Sequence, residues 1–484
     1  MLGYFDTPTP KPTVEGMRAD FARLHVALTA QRRRADNVDS WLKPEAHGFD
    51  VPRRAKAEHR ALADLSRTPW LRLVVDNVAQ AMYVDQIVGT GGTKPDLWAL
   101  WAVNGCPKTQ ISNHRSVAAY GDSYSVVTPA QRGGEDSARI RFLSPRRVTV
   151  EFDDPGASLY PSVALEAHSP RDTGRRFTLY YPGYSVEAER HDTGVSFAEP
   201  VSTGVDVVQV VQFANQADLD GNVTGEVEPF IPTAQRINKT TYDRLLAQHF
   251  SSWKVKTATG LGLPSRVDED GLPTDEVDPV AAEELRQKLA QDDILIGEDP
   301  ETKFGTLDAT ALDPFVAAWQ SDVEALAAVA QTPAHALTGK LVNLNAEALA
   351  AARAPLTQKI TERQVNLGMS YSLTLRLAAS FAGLGEVAAD DLVRVTWQDM
   401  EIRSMSQAVD ALGKAATLLD IPKRGLWARI PGVESSDVEE WERLADDENE
   451  RDPLNRVFGK GAEPTGVPPV GDPTDGYSSA GDNG

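Results

Sequence analysis

Residues 332–353 read TPAHALTGKLVNLNAEALAAAR, a polar stretch with one glycine that separates two helical patterns. Ahead of it, apolar residues recur at the three- and four-residue spacing of an amphipathic helix, and the pair Thr332 and Pro333 marks a stop. These apolar residues are Phe315, Trp319, Val323, Leu326 and Ala330. Behind it, the pattern predicts a helix from about Ala346 to Phe381. We therefore expect a loop at residues 334–345 between two long helices.

The helix that follows this loop carries a proline well inside it. Pro355 lacks the backbone N–H that the helix would use, and its ring clashes with the preceding turn. This predicts a kink near residues 351–355. Asn345 is a suitable N-cap for the helix, because its side-chain oxygen can accept a hydrogen bond from a free backbone N–H.

A further long helix is predicted from residue 228, where Pro232 is tolerated because it lies near the start. Between this helix and the one that precedes the loop lie two strand candidates, WKVKTATGL at 253–261 and ILIGED at 294–299. A helical pattern, PVAAEELRQKLAQ at 279–291, separates the two strands. The order predicts a small α/β module inserted between two long helices.

The regions before and after the long helices differ in their predicted secondary structure. Residues 50–227 mix helical patterns with short strands rich in β-branched and aromatic residues, which favours an α+β domain. DLVRVTWQD at 391–399 alternates as a strand does, and MSQAVDALGKAATLL at 405–419 is an amphipathic helix. Beyond residue 446 the chain is rich in Gly, Pro, Asp and Ser, so it is predicted to be disordered.

Composition excludes several classes of protein. Hydrophobic residues make up 41% and charged residues 25% of 484, which are globular values. A net charge of −21 argues against a broad basic face that grips nucleic acid, although an acidic surface suits DNA that must slide past it. One cysteine excludes an internal disulfide and a Cys-rich zinc site. No stretch approaches the ~20 apolar residues of a membrane span, and the start lacks a signal peptide's apolar region.

Signals of chemistry are weak. The eight histidines are scattered and none falls in an HExxH spacing, while Gly-x-Ser-x-Gly is absent. GTGGTK at 89–94 lacks the Walker spacing of a phosphate-binding loop. The pairs Asp153/Asp154 and Asp292/Asp293 could bind Mg²⁺, but in so acidic a chain they are more typical of solvated turns. We expect no catalytic residue, no metal and no cofactor.

Four stretches carry a family resemblance, in this order along the chain. They are AAYGDSYSVV at 118–127, VVQFANQADLDGNVTGEVEPFIPTAQRINKTTYDRLL at 210–246, AQTPAHALTGKLVNLNAEALAAARAPLTQKITERQVNLG at 330–368 and VTWQDMEIRSMSQAVDALGKAATL at 395–418. Together with the order of helices and strands, they resemble bacteriophage portal proteins of the long-tailed (siphophage) type, with an actinobacteriophage-like character. The resemblance covers about residues 50–445.

The resemblance implies an α+β portal fold with named parts. A wing would span residues 1–227, joined by a return strand at 392–398, and the stem helices would be 228–254 and 308–331. The remaining parts would be a small α/β clip at 255–307, a tunnel loop at 332–345, a kinked long helix at 346–382 and an α-helical crown at 401–445. The disordered tail at 446–484 is predicted from composition alone. The loop has a single glycine and the tail has no clear counterpart in the family, which are the two departures from its pattern.

The resemblance also implies a function without catalysis. Portal proteins form a ring, typically of twelve subunits, at one capsid vertex, through which double-stranded DNA is packaged and ejected. Expected partners are the terminase large subunit, head–tail connector or adaptor proteins, and the major capsid and scaffold proteins, with no membrane. The protein would be made in the bacterial host cytoplasm and reside in the virion.

The tunnel loop would form a collar around the DNA. Its expected DNA-facing residues are Thr338, Gly339, Lys340, Asn343 and Asn345. Gly339 would supply conformational freedom and Lys340 a weak contact with phosphate, while Pro355 would kink the next helix. An ordinary helix–helix linker with a solvated lysine remains the alternative for this segment. For the whole chain, the alternatives are another ring-forming phage head or neck adaptor and a metal-dependent hydrolase.

Overall fold

The computed structural model describes residues 10–43, 57–171, 174–251, 256–259, 265–267, 273–280, 303–306, 310–340, 346–398, 405–427, 430, 433 and 435–451. Its contacts divide the chain into two units, Met1–Gln398 and Asp399–Gly484.

The first unit mixes helices and strands, as predicted. Its described helices are α1 (Val14–Leu42), α2 (Ala57–Leu65), α3 (Trp70–Ala79), α4 (Pro95–Val103), α5 (Cys106–Tyr120), α6 (Ile231–Ser251), α7 (Asp313–Val329), α8 (Ala334–Thr338), α9 (Ala346–Phe381) and α10 (Gly385–Ala388). A single 3-10 turn at Glu228–Phe230 leads into α6.

The strands of the first unit form antiparallel sheets. Those described are β1 (Val84–Gly89), β2 (Gly92–Thr93), β3 (Asp122–Arg132), β4 (Glu135–Leu143), β5 (Val148–Glu151), β6 (Val163–Ala167), β7 (Arg176–Tyr181), β8 (Tyr184–His191), β9 (Gly194–Phe197), β10 (Val201–Ser202), β11 (Val210–Ala214), β12 (Lys256–Thr259), β13 (Ser265–Val267), β14 (Pro273–Val277), β15 (Lys303–Thr306) and β16 (Arg394–Trp397). The sheet orders are β16-β1-β2, β10-β8-β7-β6-β5 with β9 also on β8, β11-β3-β4, β12-β15 and β13-β14.

Of the three apolar clusters in the described part of this unit, the two with the most residues involve α9 and α1. The larger one joins α3, α4 and α5 to the sheet β11-β3-β4 and to the C-terminal half of α9, with Trp101, Phe213 and Tyr371 fully buried. Cys106, the first residue of α5, is also fully buried there. The smaller one forms where the apolar stripe of α1 covers β6, β7 and β8. Burial of each large side chain contributes roughly 1.5–3 kcal/mol.

The strand expected at 392–398 is present as β16, which pairs antiparallel with β1 over 300 residues earlier in the chain. The GTGGTK stretch is not a phosphate-binding loop but the hairpin between β1 and β2. Asp390 closes it by accepting hydrogen bonds from the Thr90 N–H at 2.7 Å and the Thr90 hydroxyl at 2.8 Å. A Cβ on Gly89 would lie 2.6 Å from both the Asp390 carboxylate and Lys94 Cε, so the absence of a side chain here leaves room for both groups beside the hairpin.

The segment between α6 and α7 is only partly described. Within it, β12 pairs antiparallel with β15, so the chain that leaves α6 returns beside itself before α7 begins. This agrees with an inserted module, and β12 coincides with the predicted strand at 253–261. The strand predicted at 294–299 lies outside the described residues, as does nearly all of the helix predicted at 279–291.

The second unit contains α11 (Met405–Leu418), α12 (Arg424–Trp427) and α13 (Ser435–Arg451) among its described residues. Trp427 meets Trp441 edge to face with ring centroids 6.2 Å apart, and Arg424 pairs with Asp446 at 2.6 Å. Since α13 continues to Arg451, the predicted start of the disordered tail at 446 is too early. Residues 452–484 lie outside the described residues.

Candidate functional site

The helices α6 and α7, which were predicted as the stem, pack against each other. Asp322 on α7 accepts hydrogen bonds from the Arg236 guanidinium at 2.7 Å and from the Thr240 hydroxyl at 3.0 Å. Trp319 packs against Trp70 of α3 with ring centroids 5.9 Å apart. The exposed Arg236–Asp322 pair contributes no more than about 1 kcal/mol, so the apolar contacts dominate.

The chain leaves α7 through a tight turn. Gln331 has a φ of 50°, a left-handed conformation that is uncommon for a residue with a side chain. The Thr332 N–H then donates to the Ala327 carbonyl at 2.9 Å, which closes the helix end. This turn directs the chain into the segment that was expected to be a loop.

The loop prediction is wrong for its first five residues, because Ala334–Thr338 form the short helix α8. Leu337 is buried in the larger apolar cluster, which anchors α8 in a way that the polar composition of the segment does not reveal. Gly339 ends α8 with a φ of 68° and donates its N–H to the His335 carbonyl at 2.9 Å. Glycine is favoured here by its left-handed backbone and not by lack of space, since a Cβ would meet no atom within 4 Å.

Three of the five predicted DNA-facing residues lie together at the end of α8. The Thr338 hydroxyl donates to the Ala334 carbonyl at 3.0 Å and accepts the Lys340 N–H at 3.3 Å. Gly339 and Lys340 are exposed. The other two, Asn343 and Asn345, lie outside the described residues. The role of all five in DNA contact stays a prediction.

Helix α9 continues through Pro355, so the proline does not divide it into two helices. The kink predicted at this position stays a prediction. From Ala351 to Gln358 the side chains of α9 are exposed or half-buried, whereas from Leu367 to Ala379 most are buried in the larger apolar cluster. The change from exposed to buried begins at Lys359.

A buried ionic cluster lies at that point. Lys359 and Arg363, one turn apart on α9, both bind Glu226, which precedes α6. The Lys359 Nζ lies 2.5 Å from one Glu226 carboxylate oxygen, and Arg363 Nη2 lies 3.1 Å from the other. Asn215 donates to the same carboxylate at 3.1 Å. The side chains of Lys359, Glu226 and Arg363 are only 3–5% exposed, so water screens this cluster little.

The protonation states follow from these contacts. Burial opposes ionisation of Glu226, but the charge and hydrogen bonds of Lys359 and Asn215 outweigh it and lower the pKa of Glu226. Burial lowers the pKa of Lys359, and the nearby Glu226 carboxylate opposes that shift. The contacts therefore favour the ionised form of the Glu226 carboxylate, which is the form that pairs with Lys359 and Arg363.

Lys359 also reaches the end of α7. Its Nζ donates to the Ala330 carbonyl at 2.9 Å, which is the last carbonyl before the left-handed Gln331. Sequence reasoning missed this cluster, because Lys359 and Glu226 are far apart in the chain. A usable signal is present, however: Lys359 and Arg363 are in helical phase with the buried Leu367.

Glu226 itself is fixed by a close backbone crossing. Its N–H donates to the Ala118 carbonyl of α5 at 2.7 Å, and Asn215 N–H donates to the Gly121 carbonyl at 2.8 Å. A Cβ on Gly225 would lie 2.7 Å from both the Ala119 carbonyl oxygen and the Gly121 nitrogen. The segment of chain that leads into α6 therefore packs directly against the junction of α5 and β3.

Within the described residues, no three His, Cys, Asp or Glu side chains come together in a way that could hold a metal ion. In the same part of the chain, no helix is both long and apolar enough to cross a membrane.

Comparisons with known proteins identify the family. The model of the family described as "Phage portal protein, SPP1 Gp6-like" matches residues 23–454. The portal protein of Mycobacterium phage L5 is 26% identical over 393 residues, covering 78% of this chain and 76% of that protein. The portal protein of Mycobacterium phage D29 is 26% identical over 392 residues, covering 77% and 76%.

Among solved structures, a chain from the neck of an empty GTA particle, computed with C6 symmetry, aligns with a TM-score of 0.41 and 11% identity. The alignment covers 78% of this chain and 96% of that one. The family match, which spans most of the sequence and confirms the resemblance, decides the identity: the chain belongs to the phage portal protein family.

Proposed function

We propose that this chain assembles into a closed ring of about twelve subunits at one vertex of a phage capsid, and that double-stranded DNA passes through the ring during packaging and ejection. The observation that carries the proposal is the family match over residues 23–454. Two features of the chain support it: two long helices, α6 and α7, that pack together on either side of a strand-containing insertion, and a segment after α7 that ends in an exposed lysine.

The parts of the portal fold are assigned accordingly. The wing is 1–227 with the return strand at 392–398, and the stem helices lie within 228–254 and 308–331. The clip is 255–307, the long helix 346–382 and the crown 401–445. The tunnel segment is 332–345, within which Ala334–Thr338 form the short helix α8.

Lys340 is the proposed contact with DNA phosphate. The net charge of −21 repels phosphate on balance, so one exposed cation per subunit in this segment gives a weak and salt-sensitive attraction. A few such contacts allow DNA to slide without being captured. Gly339, whose backbone is left-handed and unobstructed, lets the following residues adjust to a moving duplex.

The ring is proposed to have no catalytic activity of its own and to reside in the virion after synthesis in the host cytoplasm. The energy for DNA movement would come from the terminase large subunit docked on the ring. Head–tail connector proteins would bind the ring from the tail side, and the major capsid and scaffold proteins would surround it.

Native mass spectrometry combined with negative-stain electron microscopy of the purified full chain tests the proposal. The expected result is particles of about 630 kDa, twelve copies of the 52.5 kDa chain, with a central hole. To allow for dependence on other capsid components, the same measurement is made on protein co-expressed with the phage scaffold protein. Monomers or closed dimers without a channel under both conditions would refute the proposal.

A further inference from the structure

We propose that Lys359 and Glu226 are positioning residues for the segment 331–340: they fix the point at which this segment leaves α7, and so set where Lys340 is presented. The inference rests on the proposed function, because the segment that these two residues position is the one proposed to contact DNA. Neither residue needs to touch DNA.

The first step is the hydrogen bond from Lys359 to the Ala330 carbonyl, at 2.9 Å. The last carbonyls of a helix have no partner within the helix, so the end of α7 depends on such outside donors. The Thr332 hydroxyl is a second donor to the same carbonyl, at 3.2 Å. Both donors are buried, with Thr332 only 3% exposed. Water therefore cannot readily replace them.

The second step concerns the strained backbone of Gln331, which these hydrogen bonds hold in place. Gln331 has a φ of 50°, which for a residue with a Cβ costs roughly 1–2 kcal/mol. Such a conformation persists only where the surroundings fix it. Here the carbonyl before Gln331 is held by Lys359, and the N–H after it is held by the Ala327 carbonyl.

The third step is that Lys359 is itself anchored. It binds Glu226, whose backbone N–H donates to a carbonyl of α5. The backbone at the neighbouring Gly225 lies so close to the α5–β3 junction that Glu226 cannot move in that direction. The end of α7 is therefore connected through one lysine to the rigid part of the first unit. Lys359 also lies on α9, about 20 Å along the helix from its start at Ala346. The two helices that flank the segment are thus joined at one buried side chain.

Hydrogen–deuterium exchange of the full chain, read by mass spectrometry on peptides covering 331–340, tests this assignment. The variants are Lys359→Met and Glu226→Gln, the second of which keeps the shape of the side chain. We expect exchange at 331–340 to quicken about tenfold, while exchange in the middle of α7 remains at the wild-type rate.

Glu166→Gln is the matched control. Glu166 is also a buried carboxylate that binds two cations, Arg141 at 2.7 Å and Arg147 at 3.1 Å, and one neutral donor, Tyr180 at 2.8 Å. It lies in the sheet β10-β8-β7-β6-β5. We expect Glu166→Gln to leave exchange at 331–340 within about twofold of wild type.

Thr332→Val removes the second donor to Ala330 with the least disturbance, and it keeps the test decisive if Lys359→Met fails to fold. We expect it to quicken exchange at 331–340 as well. Unchanged exchange in Glu226→Gln and Thr332→Val would overturn the assignment, as would an equal increase in Glu166→Gln. The ring test on the wild-type protein is independent, so failure of the proposed function and failure of this assignment are distinguishable.

Discussion

The change Gly225→Ala would add one methyl group where two backbones cross. Its Cβ would lie 2.7 Å from the Ala119 carbonyl oxygen, 2.7 Å from the Gly121 nitrogen and 3.1 Å from the Ala118 carbonyl oxygen. All three are backbone atoms, so no side-chain rotation can relieve the contact. Gly121 has a φ of 98° and is itself confined to an unusual conformation, which limits how far its backbone can retreat.

The cost follows from the distances. Ordinary contacts of a Cβ begin at 3.4 Å, so the backbones must separate by roughly 0.7 Å. Overpacking of this kind costs about 1–3 kcal/mol, and we expect the upper end because the obstacles are backbone atoms. The hydrogen bond from Glu226 N–H to Ala118 would lengthen at the same time.

Thermal unfolding of the full chain measures this effect. A loss of about 3 kcal/mol in a chain of this size lowers the Tm by about 3 °C. The control is Gly385→Ala, at the start of α10, where a Cβ would meet nothing within 4 Å. That variant should match or slightly exceed the wild-type Tm, because alanine lowers the entropy of the unfolded chain. A Gly225→Ala variant as stable as Gly385→Ala would refute the reasoning.

Three further predictions concern single side chains. Replacing Lys340 with alanine should leave ring mass unchanged by native mass spectrometry but alter DNA packaging or retention in particles; loss of ring assembly would contradict its assignment to the segment. Tyr371→Phe leaves the side chains of Asn113 and His114 without their hydroxyl partner, so urea denaturation should show a loss of about 1–3 kcal/mol, and a neutral result would contradict the buried network. Burial lowers the pKa of His114 to about 4, so the folded protein binds fewer protons than the unfolded chain between about pH 4 and 6.5. His114 therefore does not lower the free energy of unfolding above pH 6.5, but this free energy falls as the pH decreases from 6.5 to 4. Histidine C2-hydrogen exchange should give a titration midpoint for His114 well below 6.5.

The long helices were predictable because their apolar stripes are sustained. The pattern placed the helix after the loop at about Ala346 to Phe381, and α9 has these bounds. Most strands of the first half followed from alternation and turn residues. The short helix α8 was not predictable, since five residues give too little periodicity and its stability comes from burial of Leu337.

The candidate site was only partly predictable, for a related reason. The family resemblance named Thr338, Gly339 and Lys340, and the structure has them on one turn at the end of α8, while their contact with DNA stays a prediction. The cluster that fixes this turn depends on Glu226 and Lys359, which tertiary folding alone brings together. Local patterns carry no information on which charged residues of a helix meet a partner from a distant loop.

Cys106 gives the chain an internal reporter. It is the single cysteine of 484 residues, it is fully buried, and burial raises its pKa to about 12. Since the thiolate is the reactive form, a maleimide in solution labels Cys106 only when the core opens, and the labelling rate measures that opening. A cysteine introduced at Lys340 would then be the thiol available to a dye in the folded protein. Distances across an assembled ring can therefore be measured by fluorescence energy transfer without removing the native cysteine.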